Sequence, residues 1–323
     1  MITAAAEPDH VCWNYPGPPL ETCSIGQPTP ILDSSTGVIH LLFARDNKQV
    51  FVTRSSTKGL TWSARENITS TTKPNPEPDA WVAPGPQRGV QLPSGRLIAG
   101  SYYEKPGVMW GTDPNCAYAI YSDTHGSSWT HGEDVPMGGF KSLGEPQIVL
   151  FSPARRLAMF IRTVPSANPV QAKYHHSLSF SDTEGQTWTH PMQLDQLYTP
   201  SCDGSLLILP PRGGAQTYTF LAAAPTGDGA KYPEWRHNLT VFSADMEADG
   251  NLSSGSFWRP YTTIDRGFAG YSSMLSAVPE ASNRVHVAYD TGNESAAEGA
   301  LDPSHATAGG AVTFRTFTAP AHV

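Results

Sequence analysis

With 323 residues, 39% of them apolar and only 15% charged, the chain has material for one large or two ordinary domains with a substantial core. The net charge of −8 with no basic run argues against a nucleic-acid partner, and no stretch of eighteen apolar residues is present to span a membrane. Glycine and proline number 29 each, a composition that suits many short strands joined by tight turns.

In chain order, residues 1–25 form an irregular, Pro-rich segment without strand pattern, and Met1 to Trp13 has neither the basic start nor the apolar run of a signal peptide. From Gly26 onward the pattern changes. Paired β-rich runs flank short polar turns centred near Gly37, Gly95, Ala154, Gly214 and Ser282, which are 58, 59, 60 and 68 residues apart. Each hairpin is followed by a third β-rich run: VFVTRSS, CAYAIYS, HHSLSFS and HNLTVFS in the first four modules.

After the third run of the first three modules comes a phrase S-x-T-x-G-x-[ST]-W. Its copies are Ser55/Thr57/Gly59/Thr61/Trp62, Ser122/Thr124/Gly126/Ser128/Trp129 and Ser181/Thr183/Gly185/Thr187/Trp188. Hydroxyls that bond nearby amides, a glycine that supplies positive φ and a Trp that plugs neighbouring modules make this a turn between strands. Four antiparallel strands per module at this period predict propeller blades, with no linker dividing residues 26–323 and no helical segment of useful length. The final stretch, AVTFRTF, reads as one more strand of a closing blade.

Blade topology predicts which residues meet. The start of strand one, the end of strand two and the start of strand three lie at one end of a blade, opposite the Ser/Thr turns. Glu145, Arg162, Arg236 and Tyr271 fall at that end, with Tyr103 and Asp290 closing second strands. Each has an ordinary reading as well: strand-end arginines are commonly solvated, a Glu before a strand is commonly a turn residue, and a Tyr can be core. Glu77 and Asp79 are candidates to line the pocket, although a Pro-rich loop normally exposes such residues, and His125, His175 and His176 read as surface residues. Asp33, in the L-D-S-S-T-G turn, reads as a turn former. The four cysteines (Cys12, Cys23, Cys116, Cys202) lack metal-ligand spacing; Cys12 and Cys23 can close a loop, but free, partly buried thiols are expected. Four N-x-[ST] triplets (Asn67, Asn238, Asn251, Asn293) fit a secreted glycoprotein and also arise by chance.

The Trp phrase is similar to the Asp-box of bacterial-neuraminidase (BNR) repeats, and the order E-P-Q-I-V…F-I-R, W-R-H-N-L, G-Y-S-S resembles the exo-α-sialidase (neuraminidase) family over roughly Gly26 to Phe317. V-A-P-G-P-Q-R-G-V-Q-L-P-S-G-R-L and Y-S-D-T-H-G-S-S-W-T resemble its middle blades. The resemblance implies an all-β, six-bladed sialidase-type propeller, about five blades being present and the first, closing blade incomplete. It also implies a glycoside hydrolase that removes terminal sialic acids with retention. Tyr271 would be the nucleophile, Glu145 the residue that activates it, Arg162 and Arg236 two of three arginines on the substrate carboxylate, and Tyr103 a pocket residue. Asp290 stands where relatives often carry a carboxylate that orients an arginine.

The residue types suit that chemistry. Guanidinium groups bind a carboxylate bidentately, at roughly 1.5–3 kcal/mol per charged hydrogen bond, and a neutral phenol avoids the repulsion an acidic nucleophile would meet. A phenol with a pKa of about 10 needs a base beside it, and sialidases with a tyrosine nucleophile are a known exception to the two-carboxylate rule.

Three departures stand out. Thr57, Thr124 and Thr183 replace the aspartate that names the box. No arginine precedes Arg45 and no R-I-P occurs, so the third carboxylate ligand and the aspartate acid/base that follows it have no match; neither Asp9 nor Asp33 fits. The ring is also a blade short, which suggests N-terminal truncation. The expectation is therefore a sialidase of low activity, with a non-catalytic sialoglycan-binding propeller as the alternative. It would act on sialylated glycoproteins, glycolipids or oligosaccharides as a monomer, without metal or organic cofactor. The compartment stays open, secreted or lumenal if a preceding segment carries a signal.

Overall fold

A computed structural model describes residues 23–106, 115–151, 156–165, 175–200, 202–211, 217–227, 236–247, 251, 257–276, 283–291 and 311–320. Strands β1 (Ile25–Asp33), β2 (Val38–Arg45), β3 (Gln49–Ser55) and β4 (Glu66–Asn67) form a first sheet in chain order. One helical turn, α1 (Thr69–Thr72), leads to β5 (Val82–Pro84), β6 (Val90–Gln91), β7 (Leu97–Glu104), β8 (Asn115–Ser122) and β9 (Thr130–His131). These make a second sheet of order β5-β7-β8-β9, with β6 also on β7. The third sheet is β10 (Phe140–Phe151), β11 (Arg156–Pro165), β12 (His175–Ser181) and β13 (Met192–Tyr198). The last is six-stranded: β14 (Ser205–Leu209), β15 (Tyr218–Pro225), β16 (His237–Met246), β17 (Arg259–Ser276), β18 (Arg284–Thr291) and β19 (Ala311–Thr318).

These are the blades of an all-β propeller. The six-stranded sheet counts twice, because β17 pairs with β16 up to Phe268 and with β18 from Ala269, closing the fourth blade and opening the fifth. Five blades result. The hairpins expected at Gly37 and Gly95 are present, with φ of 74° and 94° at the two glycines, conformations that L side chains rarely adopt. The turns expected near Ala154, Gly214 and Ser282 fall outside the described residues.

Two compact units are distinguished: Met1–Met137 with Lys141–Ile148 and Ser181–His190, and Gly138–Phe140 with Val149–Phe180 and Pro191–Val323. In the first, Ile31, Leu42, Val52, Leu97, Tyr118, Ile120 and Trp129 share one core. In the second, Phe160, Leu178, Leu206, Phe220, Phe242 and Trp258 form one core and Leu221, Val241, Met274, Val287 and Tyr289 another. Burying a side chain of this size contributes about 1.5–3 kcal/mol, so the sheets are held mainly by these contacts.

The Ser/Thr phrase builds the same turn three times, with threonine doing the work of the aspartate. Ser55, Ser122 and Ser181 Oγ each accept the N–H of the glycine four residues on, at 2.9 Å. Thr57, Thr124 and Thr183 Oγ1 accept the N–H of Thr61, Ser128 and Thr187 at 2.8–2.9 Å. Two consecutive left-handed residues reverse the chain: Lys58-Gly59, His125-Gly126 and Glu184-Gly185. Trp129, 4% exposed, fills the core shared by the first two sheets as expected, and Trp188 is buried at 7%, whereas Trp62 is 39% exposed. Trp62 instead folds over its own turn, donating its indole N–H to the Gly59 carbonyl at 3.0 Å.

Other expectations change. His175 and His176 are buried, not surface residues, because β12 is buried along its whole length; His176 stacks on Phe160 with ring centroids 4.3 Å apart. His125 is exposed, yet its Nδ1 pairs with buried Asp33 at 2.8 Å. Cys116 and Cys202 are buried and outside any disulfide, whereas Cys23 is disulfide-bonded.

Candidate functional site

In the second unit, three of the singled-out residues converge where β17 passes from one blade to the next. Tyr271 stands, as expected, at the opening of the fifth blade, just after Ala269, but inside the continuous 18-residue β17 rather than at the start of a separate strand. Turn-like residues are absorbed there by irregular register, one shift falling between Ala269 and Ser272 and so containing Gly270 and Tyr271. Ser272 anchors the bulge, its Oγ 3.1 Å from Ser205 Oγ on β14. Arg236 immediately precedes β16, and its carbonyl accepts the Ala269 N–H at 2.8 Å. This clamp brings the Arg236 guanidinium over the Tyr271 ring, Cζ 5.5 Å from the centroid.

Asp290, near the end of β18, turns its carboxylate against the backbone of Gly270. A Cβ at Gly270 would lie 2.7 Å from both carboxylate oxygens, so a larger residue there would have to displace the Asp290 carboxylate. Burial pushes the Asp290 pKa up, opposed by the backbone N–H groups of Asp290, Tyr271 and Gly270 and by Arg236. Its Oδ1 is buried without a hydrogen-bond partner among the described residues. A cation, a phenol and a partly desolvated carboxylate are thus assembled on two adjacent strands and the start of a third. Sequence reasoning missed Gly270, although its place beside Tyr271 in G-Y-S-S was a signal.

Arg162 is half-buried near the end of β11. Its charge reaches His176, whose pKa is lowered to about 3, first by burial and then by Arg162 and His175.

The first unit holds Glu145 and Tyr103. Glu145 sits within β10, 7% exposed, at φ 43° and directly before Pro146. A left-handed non-glycine residue costs about 1–3 kcal/mol and persists only where its surroundings impose it. Pro146 supplies that constraint: its carbonyl oxygen would lie 2.0 Å from a Cβ at Gly85 and 2.3 Å from one at Gly100, so two glycines admit the strand. Tyr103 is nearly buried, its O–H donating to Asp134 Oδ2 at 2.8 Å and its ring packing edge-on to Tyr118. Burial and this bond raise its pKa, which makes Tyr103 an anchored hydrogen-bond donor rather than a source of phenolate. Asp134 is a partner that sequence reasoning missed.

Glu77 and Asp79 are exposed, as expected, with Asp79 bound to Lys48 Nζ at 2.7 Å. Asp33 makes its turn by accepting the Ser35 N–H at 3.0 Å, and it also holds Gln91 and His125. Among the described residues, no group of three or more His, Cys, Asp or Glu could hold a metal ion, and no helix is long and apolar enough to cross a membrane.

Residues 21–287 match the family model of the BNR repeat-like domain. Over 131 residues, 34% of this chain and 27% of the relative, the sequence is 31% identical to Sialidase-4 of Homo sapiens. The Hadza microbial sialidase Hz136 aligns with a TM-score of 0.62 at 21% identity, covering 83% of this chain and 50% of that one. Trypanosoma rangeli sialidase in complex with 2,3-difluorosialic acid, a covalent intermediate, aligns at 0.58 and 12% identity, covering 85% and 43%. The chain therefore spans half or less of the length of these relatives, and the structural likeness establishes a sialidase-type β-propeller fold.

Proposed function

The chain belongs to the BNR repeat-like domain family, and on that premise we propose that it is an exo-α-sialidase, with residues 26–323 acting as one propeller domain and as a monomer. Its substrates are terminal α-sialosides of glycoproteins, glycolipids or oligosaccharides. The observation that carries this reading is the Arg236 guanidinium over the Tyr271 ring, with the Asp290 carboxylate against the adjoining Gly270.

Arg162 and Arg236 hold the substrate carboxylate, and Tyr103 contributes to the pocket. By the family resemblance, Glu145 is the base for the Tyr271 phenolic proton as Oη attacks the anomeric carbon; the C–O bond to the aglycone breaks, the aglycone leaves as its anion and takes a proton from solvent, and a tyrosyl sialoside forms. Water then cleaves that intermediate, so configuration is retained. Arg236 favours the negative charge that develops on the phenol as its proton leaves. Asp290 offsets the positive charge of Arg236 and holds it in place.

The sequence has no match for the family's acid/base aspartate or third arginine. A positioned general acid contributes about 10²–10⁴ in rate, so an aryl sialoside with a good leaving group is turned over faster than sialyl-lactose by a factor of that order. Replacing Tyr271 with Phe abolishes both reactions; unchanged turnover would overturn the mechanism. The same missing residues favour a second reading, a sialoglycan-binding propeller without catalysis. Glycan binding lost in the Arg162→Ala/Arg236→Ala double variant, with no turnover of the aryl sialoside by the parent, would establish that alternative.

A further inference from the structure

Asn67 begins the triplet Asn67-Ile68-Thr69 and lies on β4, the outermost strand of the first sheet, where both residues are exposed. Its Oδ1 accepts the Thr69 N–H at 3.0 Å and the Thr69 hydroxyl at 2.6 Å, an Asx-type turn that sets the hydroxyl against the amide. Buried Ile68 fixes the turn from within, and no hydrogen bond among the described residues occupies Asn67 Nδ2. Asn238, in Asn238-Leu239-Thr240, has the same N-x-T pattern and the opposite setting. Its backbone is left-handed at φ 58°, its Nδ2 donates to the Gly227 carbonyl at 2.6 Å, and Thr240 is 6% exposed. A separate observation concerns compartment: Cys23 is disulfide-bonded, a state that persists in oxidising environments such as the secretory lumen.

We propose that Asn67 is an N-linked glycosylation site and that Asn238 is not. The donor is a lipid diphosphate-linked oligosaccharide presented by a lumenal transferase. The Nδ2–C1 bond to the reducing-end sugar forms, the C1–O bond to the diphosphate breaks, the lipid diphosphate departs and the amide proton passes to the transferase. The glycan projects from an edge strand, where hydrophilic bulk blocks pairing with a second chain. At Asn238 it would displace the bond to Gly227 and force the β16 start apart.

The test is expression of the full chain behind a secretory leader in eukaryotic cells, with site-resolved mass spectrometry on protein from medium and lumen. Asn67→Asp keeps the oxygen that holds Thr69 and removes the acceptor nitrogen. The expected result is a glycan on the Asn67 peptide, none on the Asn238 peptide, and a lighter protein by one glycan in the variant. An unmodified Asn67 peptide in lumenal chain, or greater occupancy at Asn238 than at Asn67, would overturn the proposal.

Discussion

Gly270→Ala tests whether the contact between Asp290 and β17 is as close as described. The added Cβ would meet both carboxylate oxygens at 2.7 Å and Cγ at 3.0 Å, about 0.7 Å inside ordinary van der Waals contact. Overpacking of this kind costs about 1–3 kcal/mol. Removing the carboxylate should reverse the sign: Gly270 is not in the left-handed region, and a compatible Gly→Ala change gains about 0.4–1 kcal/mol by restricting the unfolded chain. Thermal midpoints of the parent, Gly270→Ala, Asp290→Ala and the double variant form the cycle. Gly270→Ala is expected to lower the midpoint in the parent and to leave it unchanged or raise it in the Asp290→Ala background. Equal losses in both backgrounds would refute the contact.

Two further outcomes follow from the turns and buried charges. Ser122→Ala and Ser181→Ala strand the buried amides of Gly126 and Gly185 and should each cost about 1–3 kcal/mol, whereas Ser55→Ala should cost less because the Gly59 amide is only partly buried; urea unfolding of the three variants ranks them. Buried His176 stays neutral in the fold, so its contribution is full above the unfolded pKa of 6.5 and is lost as pH falls from there towards 3. The Asp33 pKa would be raised by burial, but hydrogen bonds from His125, Ser35, Thr36 and Gln91 hold it well below the usual carboxylate range, so its contribution is lost only as pH falls below about 3.8. Stability measured against pH should therefore flatten between pH 6.5 and 3 in His176→Phe, which keeps the stack on Phe160, and only below about 4 in Asp33→Asn.

The blade meander was legible because its signals are local. Paired β-rich runs mark the strands, Gly37 and Gly95 mark hairpins, and the Ser/Thr phrase encodes its own hydrogen bonds, so Thr57, Thr124 and Thr183 support the turn without the aspartate. What eluded local reading depends on contacts distant in sequence. Tyr271 does open the fifth blade, but the blade's first strand is not separate: β17 runs on from the fourth blade by shifting register. His176 seemed a surface residue because its polarity is visible and its stack on Phe160 is not. Trp62 and Trp129 occupy equivalent positions in the same phrase, and only packing separates the exposed ring from the buried one. In the candidate site, Arg236, Tyr271 and Asp290 were all singled out from the sequence, but Gly270, which admits Asp290, was not.

Covalent trapping on Tyr271 tests the proposed activity most directly. Incubation with 2,3-difluorosialic acid followed by peptide mass spectrometry should show one fluorosialosyl group on the Tyr271 peptide, absent from Tyr271→Phe. Turnover of an aryl sialoside with no adduct at Tyr271, or an adduct on another residue, would contradict the tyrosine nucleophile.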